Sequence, residues 1–263
     1  MDLALKGKVA LVTAASEGLG FACARRLAEA GCSVGICSRR HDVLQRARNE
    51  ITSATGSEVM AVSADLTDAK AIEALVKSVS AEYGRIDILV GNTGHIPYGG
   101  LFDLDDSQWY QAFDLLVMSM ARLSRLVVPL MQKEGKGDIV FISSSAAKEP
   151  SPHLILSNVL RVGLVSLAKT LSKSLAADNI RVNTVNPGYF DTGRVRKRIN
   201  EMAEKKGIPR NVASMEIAGD IPIGRIGSAE ELADLVAFLA SRRAEFLTGV
   251  TIQIDGGKAH GIF

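Results

Sequence analysis

The chain has 263 residues, of which 47% are hydrophobic and 23% are charged, and its net charge is +2 at pH 7. The small net charge and the lack of any run of about 18 apolar residues argue against nucleic acid or a membrane as partner, and we expect a cytoplasmic protein. Cys23, Cys32 and Cys37 have a spacing that fits neither a zinc site nor a redox pair, so we expect buried free thiols and no metal site.

Seven short apolar runs predict β-strands, and the segments between them have the apolar spacing of helices. The predicted strands are Val9–Thr13, Ser33–Ser38, Glu58–Ser63, Ile86–Val90, Asp138–Ser143, Arg181–Asn186 and Val250–Ile254. This alternation predicts an α/β fold with a seven-stranded parallel sheet and helices on both faces. We expect a single domain over residues 1–263, with a capping box of Ser228 and Glu231 at the start of the last helix.

The turn after the first strand, Thr13–Gly20, consists mostly of small residues and leads into a predicted helix. A strand, a tight turn and a helix form the usual binding site for a dinucleotide pyrophosphate. The helix N-terminus offers unpaired N–H groups and a partial positive charge, and glycines let the backbone approach the phosphates.

The end of the second strand carries Ser38-Arg39-Arg40. An acidic residue here would bind the ribose 2′-hydroxyl of NAD, whereas arginine pairs well with the 2′-phosphate of NADP. The sequence therefore favours NADP, although NAD stays possible because the two arginines could simply begin a solvated helix. Glu17, expected near the same phosphate, weighs against NADP.

The third and fourth strands end in polar and small residues. In Asp65-Leu66 the carboxylate can accept a hydrogen bond from the adenine amino group. A helix cap is the alternative, but Thr67 and Asp68 already offer one. After the fourth strand, Asn92 and Gly94 keep the strand end narrow enough for a cofactor to lie against it.

Together with Ile142–Ser144 and Asn183–Gly188, these motifs resemble the short-chain dehydrogenase/reductase family, and the resemblance covers essentially the whole chain. The ending, from Ile221–Arg225 to Asp255–Gly257, is similar to the 3-oxoacyl-carrier-protein reductase branch. The resemblance implies a Rossmann-like, doubly wound fold, a nicotinamide cofactor and usually a homotetramer. Ala14 stands at the first glycine of the family turn, and its methyl group is tolerable there if φ stays negative.

The strand ends and the resemblance together give a set of expected cofactor contacts. They are Ala14, Ser16, Glu17, Gly18, Leu19, Gly20, Ser38, Arg39, Arg40, Asp65, Leu66, Asn92, Gly94, Arg161, Pro187, Gly188, Phe190 and Thr192.

The active site departs from the family pattern. The family uses a Ser at the end of the fifth strand, a Tyr thirteen residues later, a Lys four residues after the Tyr, and a supporting Asn. At those positions this chain has Ser144, Ser157, Arg161 and Leu116. The resemblance therefore implies an atypical catalytic set of Ser144, Ser157 and Arg161.

No shift of register restores the tyrosine, because none occurs between Tyr110 and Tyr189. Serine is a far poorer acid than a phenol, and arginine stays protonated. Arg161 can still hold the cofactor ribose and stabilise an oxyanion, while Ser144 and Ser157 orient the carbonyl or a proton-delivering water.

Four other side chains could supply the proton: His153, His95, Tyr98 and Tyr189. For each of them we favour a rim or wall position over an acid role. His41 and His260 have no supporting context.

A basic segment follows Thr192 and runs to Arg210, within a region of about residues 190–220 that covers the substrate in the family. It predicts either capture of an anion, such as a phosphopantetheine carrier, a coenzyme A ester or a carboxylate, or a solvated amphipathic helix. The long segment fits a mobile lid.

Apolar residues surround the start of the helix that carries Ser157. Leu154–Leu156 predicts either the lining of an apolar pocket or packing on a neighbouring helix. Val159, Val162 and Val165 make further faces of the helix apolar, and the family buries this helix in a dimer interface. We expect a homo-oligomer, either a dimer or a tetramer.

The leading functional hypothesis is an NADP-dependent oxidoreductase acting on a small carbonyl/alcohol pair, with a thioester or another anion among the candidate substrates. The opposing hypothesis is a nucleotide-binding sensor or assembly subunit without catalysis, which the missing Tyr, Lys and Asn favour. A functional substrate pocket is favoured by the retained family residues and the lid; the residues are Ser144, Pro187-Gly188 and Thr192. Reduction of an activated carbon–carbon double bond is a third possibility.

Overall fold

The computed structural model describes residues 2–261 and contains a seven-stranded sheet in the order β3-β2-β1-β4-β5-β6-β7. The strands are β1 (Val9–Val12), β2 (Ser33–Ser38), β3 (Val59–Ser63), β4 (Ile88–Gly91), β5 (Gly137–Ile142), β6 (Ile180–Pro187) and β7 (Thr251–Ile254). Every neighbouring pair is parallel. The predicted sheet is confirmed, and the predicted strand ends differ from the observed ones by at most two residues.

Nine α-helices accompany the strands in the described part of the chain. They are α1 (Gly18–Glu29), α2 (His41–Thr55), α3 (Ala69–Tyr83), α4 (Asp106–Phe113), α5 (Ser119–Lys133), α6 (Ile155–Ser174), α7 (Gly193–Lys206), α8 (Arg210–Gly219) and α9 (Ala229–Leu239). Buried side chains of α1, α2 and α9 form one core with the sheet, and those of α3, α5 and α6 form a second core on the opposite face. Both faces are therefore covered, as predicted.

The strand order reverses between β1 and β4, because β2 and β3 lie on one side of β1 and the later strands lie on the other. In a doubly wound sheet, ligands bind in the crevice outside the carboxyl ends of the strands at such a point. The carboxyl ends of β1 and β4 carry the Thr13–Gly20 turn and Asn92, so the fold brings the predicted nucleotide turn to this crevice.

Helix α6 is long and apolar enough, by length and composition, to span a membrane. Its apolar character has an ordinary structural cause. Leu156, Leu160, Leu164 and Ala168 on this helix are buried in the protein's own cores, where they pack on neighbouring helices and on the sheet.

Candidate active site

The predicted nucleotide turn is tied to the end of β4 by short hydrogen bonds. The Thr13 hydroxyl donates to the Asn92 carbonyl oxygen at 2.6 Å and accepts from the Asn92 N–H at 2.9 Å. The Asn92 side chain also donates from Nδ2 to the Ala14 carbonyl oxygen at 3.2 Å. Asn92 therefore fixes the shape of the turn from the neighbouring strand.

Ala14 does not have the negative φ that was expected from its sequence position. Its φ is +47°, in the left-handed region, where an L-residue costs roughly 1–2 kcal/mol. The chain turns sharply here, and the Ala14 carbonyl is directed at Asn92 and at the first turn of α1. A Cβ at Gly20 would lie only 2.4 Å from that carbonyl oxygen, so the tertiary packing imposes the strained conformation.

The N-terminus of α1 is open to an anion. Its N-cap residue, Glu17, makes no side-chain capping bond, as is also the case at α2, α6, α7 and α8. The first-turn N–H groups of a helix have no acceptor within the helix. Together with Gly18 at φ +62°, this leaves the backbone donors that a pyrophosphate needs.

The end of β2 holds the residues expected at the ribose. Nη2 of Arg40 donates to Oε1 of Glu17 at 2.8 Å, so the two residues with opposite predicted effects on NADP are paired with each other. The Ser38 hydroxyl donates to the Arg40 carbonyl oxygen at 3.3 Å, and Arg39 is exposed. In this geometry, a bound phosphate can replace Glu17 as the ion-pair partner of Arg40.

Asp65 lies beyond the end of β3 in a local turn. Its Oδ1 accepts hydrogen bonds from the Thr67 N–H at 2.9 Å and from the Thr67 hydroxyl at 2.8 Å. Asp68 caps the next helix through the Lys70 N–H, so Asp65 is not needed for that role. Leu66 beside it is buried.

The three candidate catalytic residues come together where β5 ends and α6 begins. Ser144 accepts the Ala146 N–H at 3.2 Å, and this bond leaves its own proton free to donate. Arg161 donates from Nη1 to the carbonyl oxygens of Ile142 and Ser143 at 3.0 and 2.8 Å. Ser157 is buried one helical turn before Arg161.

Arg161 is a buried cation, 7% exposed, without a carboxylate partner among the described residues. Its Nε is buried and makes no hydrogen bond within residues 2–261. Burial lowers the pKa of Arg161 to about 10, and the positive charge of Arg194 adds to the effect. A guanidinium in this environment is favourable only if a ligand supplies acceptors or negative charge.

A second buried polar group near this position was missed in the sequence. The two polar side-chain atoms of Asn186 on β6, Oδ1 and Nδ2, lack hydrogen-bond partners in the described structure. The pairing of Ile142 with Val185 places Asn186 beside Ser143 on the sheet. In the sequence, Asn186 is one residue of a predicted strand end. It comes close to the site only through the register of β6 against β5.

Leu116 is the residue expected at the position of the family's supporting Asn. It falls in a π-helical segment, Asp114–Met118, between α4 and α5. Its side chain is fully buried in an apolar cluster with Leu156 and Leu160 of α6. Ile155 and Leu156 therefore pack on a neighbouring helix, which was one of the two alternatives predicted for Leu154–Leu156.

The loop after β4 forms the rim of the crevice. Gly99 is paired with Leu154, the residue that precedes α6, and its N–H donates to the His153 carbonyl oxygen at 3.0 Å. Tyr98 in this loop accepts a hydrogen bond from Nε of Arg194 at 2.7 Å, and the guanidinium lies 4.9 Å from the ring centroid. This contact joins the loop to the start of α7.

Desolvation lowers the pKa of His95, the positive charges of Arg194 and Lys197 lower it further, and Glu17 opposes them. His95 is exposed at the rim, as is His153. A rim position was the interpretation favoured for both histidines.

The remaining candidates lie in other contacts. Tyr189 packs with α7 and α8, with Arg198 and Lys258 at 5.3 and 5.7 Å from its ring, and it lines a cavity of about 460 Å³ between these helices. His41 bonds to Ser63 at 3.1 Å. His260 does have a context, contrary to expectation, because its Nδ1 lies 2.5 Å from Oε1 of Glu149.

The chain after β6 closes the crevice from the other side. A Cβ at Gly18 would lie 3.6 Å from Thr192, so the start of α7 is next to the nucleotide turn. Phe190 is buried against Gly227, and a Cβ at Gly188 would clash with Asp255 at 2.6 Å, which explains the small residue after Pro187. Of the expected cofactor residues in this stretch, Thr192 therefore borders the nucleotide turn.

All three cysteines are free and buried, as predicted. Burial raises the pKa of Cys32 and Cys37 to about 12. Within residues 2–261, no group of three or more His, Cys, Asp and Glu side chains is placed to hold a metal ion.

Comparison with known sequences places the chain in a large family. A family model described as Enoyl-(Acyl carrier protein) reductase matches residues 13–259. The dehydrogenase/reductase SDR family member 4 of Bos taurus is 37% identical over 255 residues, which are 97% of this chain and 88% of the relative. The 3-oxoacyl-[acyl-carrier-protein] reductase of Chlamydia muridarum is 32% identical, over 98% of this chain and 100% of the relative.

Solved structures agree with this placement. L-sorbose reductase from Gluconobacter frateurii, complexed with NADPH and L-sorbose, matches with a TM-score of 0.97 at 33% identity over 100% of both chains. An NADPH-bound short-chain oxidoreductase from Pseudomonas aeruginosa PAO1, described as containing an atypical catalytic center, matches with a TM-score of 0.88 at 28% identity over 97% of each chain. By its fold, its family match and these relatives, the chain belongs to the short-chain dehydrogenase/reductase family of oxidoreductases.

Proposed function

We propose that this protein is an NADPH-dependent reductase of a small carbonyl substrate, with an atypical site made of Ser144, Ser157 and Arg161. The observation that carries the proposal is Arg161, a buried guanidinium held by two strand-end carbonyls with its Nε unpartnered among the described residues. A cation in this position needs a ligand with acceptor groups, and a ribose and a developing alkoxide both provide them.

The crevice suits a dinucleotide. The uncapped N-terminus of α1 offers N–H groups to a pyrophosphate, and Arg40 with Ser38 offers donors to a 2′-phosphate. The solved relatives with NADPH support this choice over NADH, since they are similar to this chain over nearly their whole length. When bound, the nicotinamide supplies a hydride to the carbonyl carbon.

The protein's own residues manage the carbonyl oxygen. Ser144 donates its free proton as a hydrogen bond to that oxygen, and Arg161 places a fixed positive charge beside it as negative charge develops. The carbonyl π bond breaks, and the oxygen takes its proton from a water held by Ser157. The hydroxide left behind is neutralised by solvent. Without a positioned acid, we expect a rate about 10²–10⁴ below that of a site that has one.

The competing function is nucleotide binding without catalysis. Leu116 favours it, because this residue fills the position of the family's supporting Asn with a buried apolar side chain. The relative described as having an atypical catalytic center was solved both with NADPH and in the apo form, so an altered site is compatible with cofactor binding there. The family model described as an enoyl reductase favours a third outcome, reduction of an activated double bond.

One preparation tests all three functions. NADPH and NADH are titrated by fluorescence, and absorbance loss is then followed with ketones, 3-oxoacyl thioesters and enones. We expect tighter binding of NADPH and turnover of at least one carbonyl class. Tight NADPH binding with no turnover would favour the non-catalytic function, and turnover of enones alone would favour double-bond reduction.

Exposed apolar residues on α6 and α4 indicate a contact with another subunit. Val159 and Val162 are 52% and 49% exposed on α6, beside the exposed Tyr110 and Phe113 of α4. Exposed apolar side chains on a helix pair are typical of a subunit contact. We propose that these helices meet a second copy, and that residues 190–220 act as a cover over the substrate.

A further inference from the structure

Arg194 is held in place by an aromatic side chain rather than by an acid. Its Nε donates to the Tyr98 hydroxyl at 2.7 Å, and its guanidinium carbon lies 4.9 Å from the centroid of the same ring. Both contacts fix the orientation of the planar group while leaving its charge uncompensated. Nη1 and Nη2 have no acidic partner in the part of the chain that the structure describes.

Two neighbouring cations of α7 are paired with carboxylates instead. Arg196 pairs with Asp191 through two bonds of 2.7 and 3.0 Å, and Lys197 lies 3.6 Å from Glu201. These are solvated ion pairs, as the amphipathic-helix alternative predicted. Arg194 is thus a half-buried cation that its own helix does not neutralise.

Arg194 lies between the two halves of the crevice. Thr192, two residues before it, is next to Gly18 in the nucleotide turn. Tyr98 belongs to the loop whose Gly99 is paired with Leu154, immediately before the helix that carries Ser157. A substrate with its carbonyl at Ser144, on the side of Ser157, would therefore extend towards Arg194.

Arg161 supplies an independent reason for an anion at this site. It is 7% exposed, its Nε has no partner within residues 2–261, and it lies close enough to Arg194 for the two charges to oppose each other. Like charges repel each other, and neither guanidinium forms an ion pair with a carboxylate among the described residues. A negative group between them removes this repulsion.

We propose that the substrate carries a carboxylate and that Arg194, oriented by Tyr98, binds it. With Nε engaged by Tyr98, the Nη1 and Nη2 fork is the remaining donor pair, and its geometry matches the two oxygens of a carboxylate. The substrate class is thus an oxo acid whose carbonyl faces Ser144. This inference rests on the proposed function, because it names the substrate of that same site.

The test compares an oxo acid with its methyl ester, which has the same reacting carbonyl and no charge. Wild type is measured beside Arg194→Gln and beside Lys133→Gln, an exposed residue in the last turn of α5 that undergoes the same change of charge. We expect Arg194→Gln to lower kcat/KM for the acid by about 10- to 100-fold, mostly through KM, and to leave the ester nearly unchanged. Lys133→Gln should behave as wild type.

A binding measurement keeps the inference separate from catalysis. Calorimetric titration of the corresponding hydroxy acid and hydroxy ester into the NADP⁺ complex should give tighter binding of the acid, and Arg194→Gln should abolish the difference. Acid-selective binding without any turnover would sink the proposed function and leave this inference standing.

The opposite results overturn the inference. If wild type reduces the ester as well as the acid, the carboxylate is not recognised, although the proposed function stands. If Arg194→Gln weakens NADPH binding instead and affects acid and ester equally, the cation serves a cofactor phosphate.

Discussion

Replacing Gly20 by alanine should weaken both the fold and cofactor binding. The new Cβ would lie 2.4 Å from the Ala14 carbonyl oxygen and 2.7 Å from Nδ2 of Asn92. These atoms are the acceptor and the donor of the 3.2 Å bond that shapes the nucleotide turn. The first turn of α1 must therefore move away from both.

The size of the effect follows from competing terms. Overpacking of this kind costs about 1–3 kcal/mol, and the strained hydrogen bond adds about 0.5–1.5 kcal/mol. Alanine is favoured over glycine in a helix by about 0.5–1 kcal/mol, which offsets part of the loss. We expect a net loss of about 1–3 kcal/mol in the free energy of unfolding and a fall in Tm of roughly 3–10 °C.

Urea denaturation and NADPH titration of the same Gly20→Ala preparation give the two readouts. Gly219→Ala at the end of α8 is the matched control, because its Cβ would meet nothing within 4 Å. The reasoning is refuted if Gly20→Ala keeps the wild-type Tm and the wild-type Kd for NADPH.

Four further substitutions test individual contacts. Ala14→Gly relieves the positive φ, and we expect a Tm equal to or a few degrees above wild type in a thermal melt; a clear drop would contradict the strain at this residue. Glu17→Gln frees Arg40 and should raise the preference for NADPH over NADH, measured as a ratio of Kd values, whereas an unchanged ratio would mean that the pair does not meet the 2′-phosphate. Ser228→Ala removes one bond of the capping box at α9 and should cost about 1 kcal/mol in chemical denaturation; no loss would refute the cap. Arg225 and the Ser228 N–H lower the pKa of Glu231 to about 2, so its contribution is present above pH 4.5 and is lost as pH falls towards 2; Glu231→Gln should flatten this part of the stability profile, by under about 1 kcal/mol because the side chain is solvated.

Local pattern was enough to predict the sheet and the helix caps. The strands are apolar runs of fixed length, and the Ser228–Glu231 box depends only on residues three apart, so both capping bonds are found in the structure. The buried face of α3, formed by Ile72, Leu75, Val76 and Val79, follows from helical spacing in the same way. Such features need no knowledge of distant residues.

Features set by distant residues were not predictable. The positive φ of Ala14 depends on Asn92, 78 residues away, and the Tyr98–Arg194 contact joins residues 96 apart. Asn186 comes near the site only through the register of β6 against β5. Counting along the sequence assigned Ser144, Ser157 and Arg161, but it could not reveal that the guanidinium is held by strand-end carbonyls.

The most direct test of the proposed reductase is transfer of deuterium from NADPH labelled at C4 of the nicotinamide, read by mass spectrometry of the product. The account predicts label on the carbinol carbon of the alcohol with wild-type protein. It predicts strong loss of label in Ser144→Ala and in Arg161→Ala, with Arg161→Lys as the conservative variant that keeps a cation at the buried position. Absence of label from every product, in a preparation that binds NADPH tightly, would contradict the account and leave a nucleotide-binding protein without reductase chemistry.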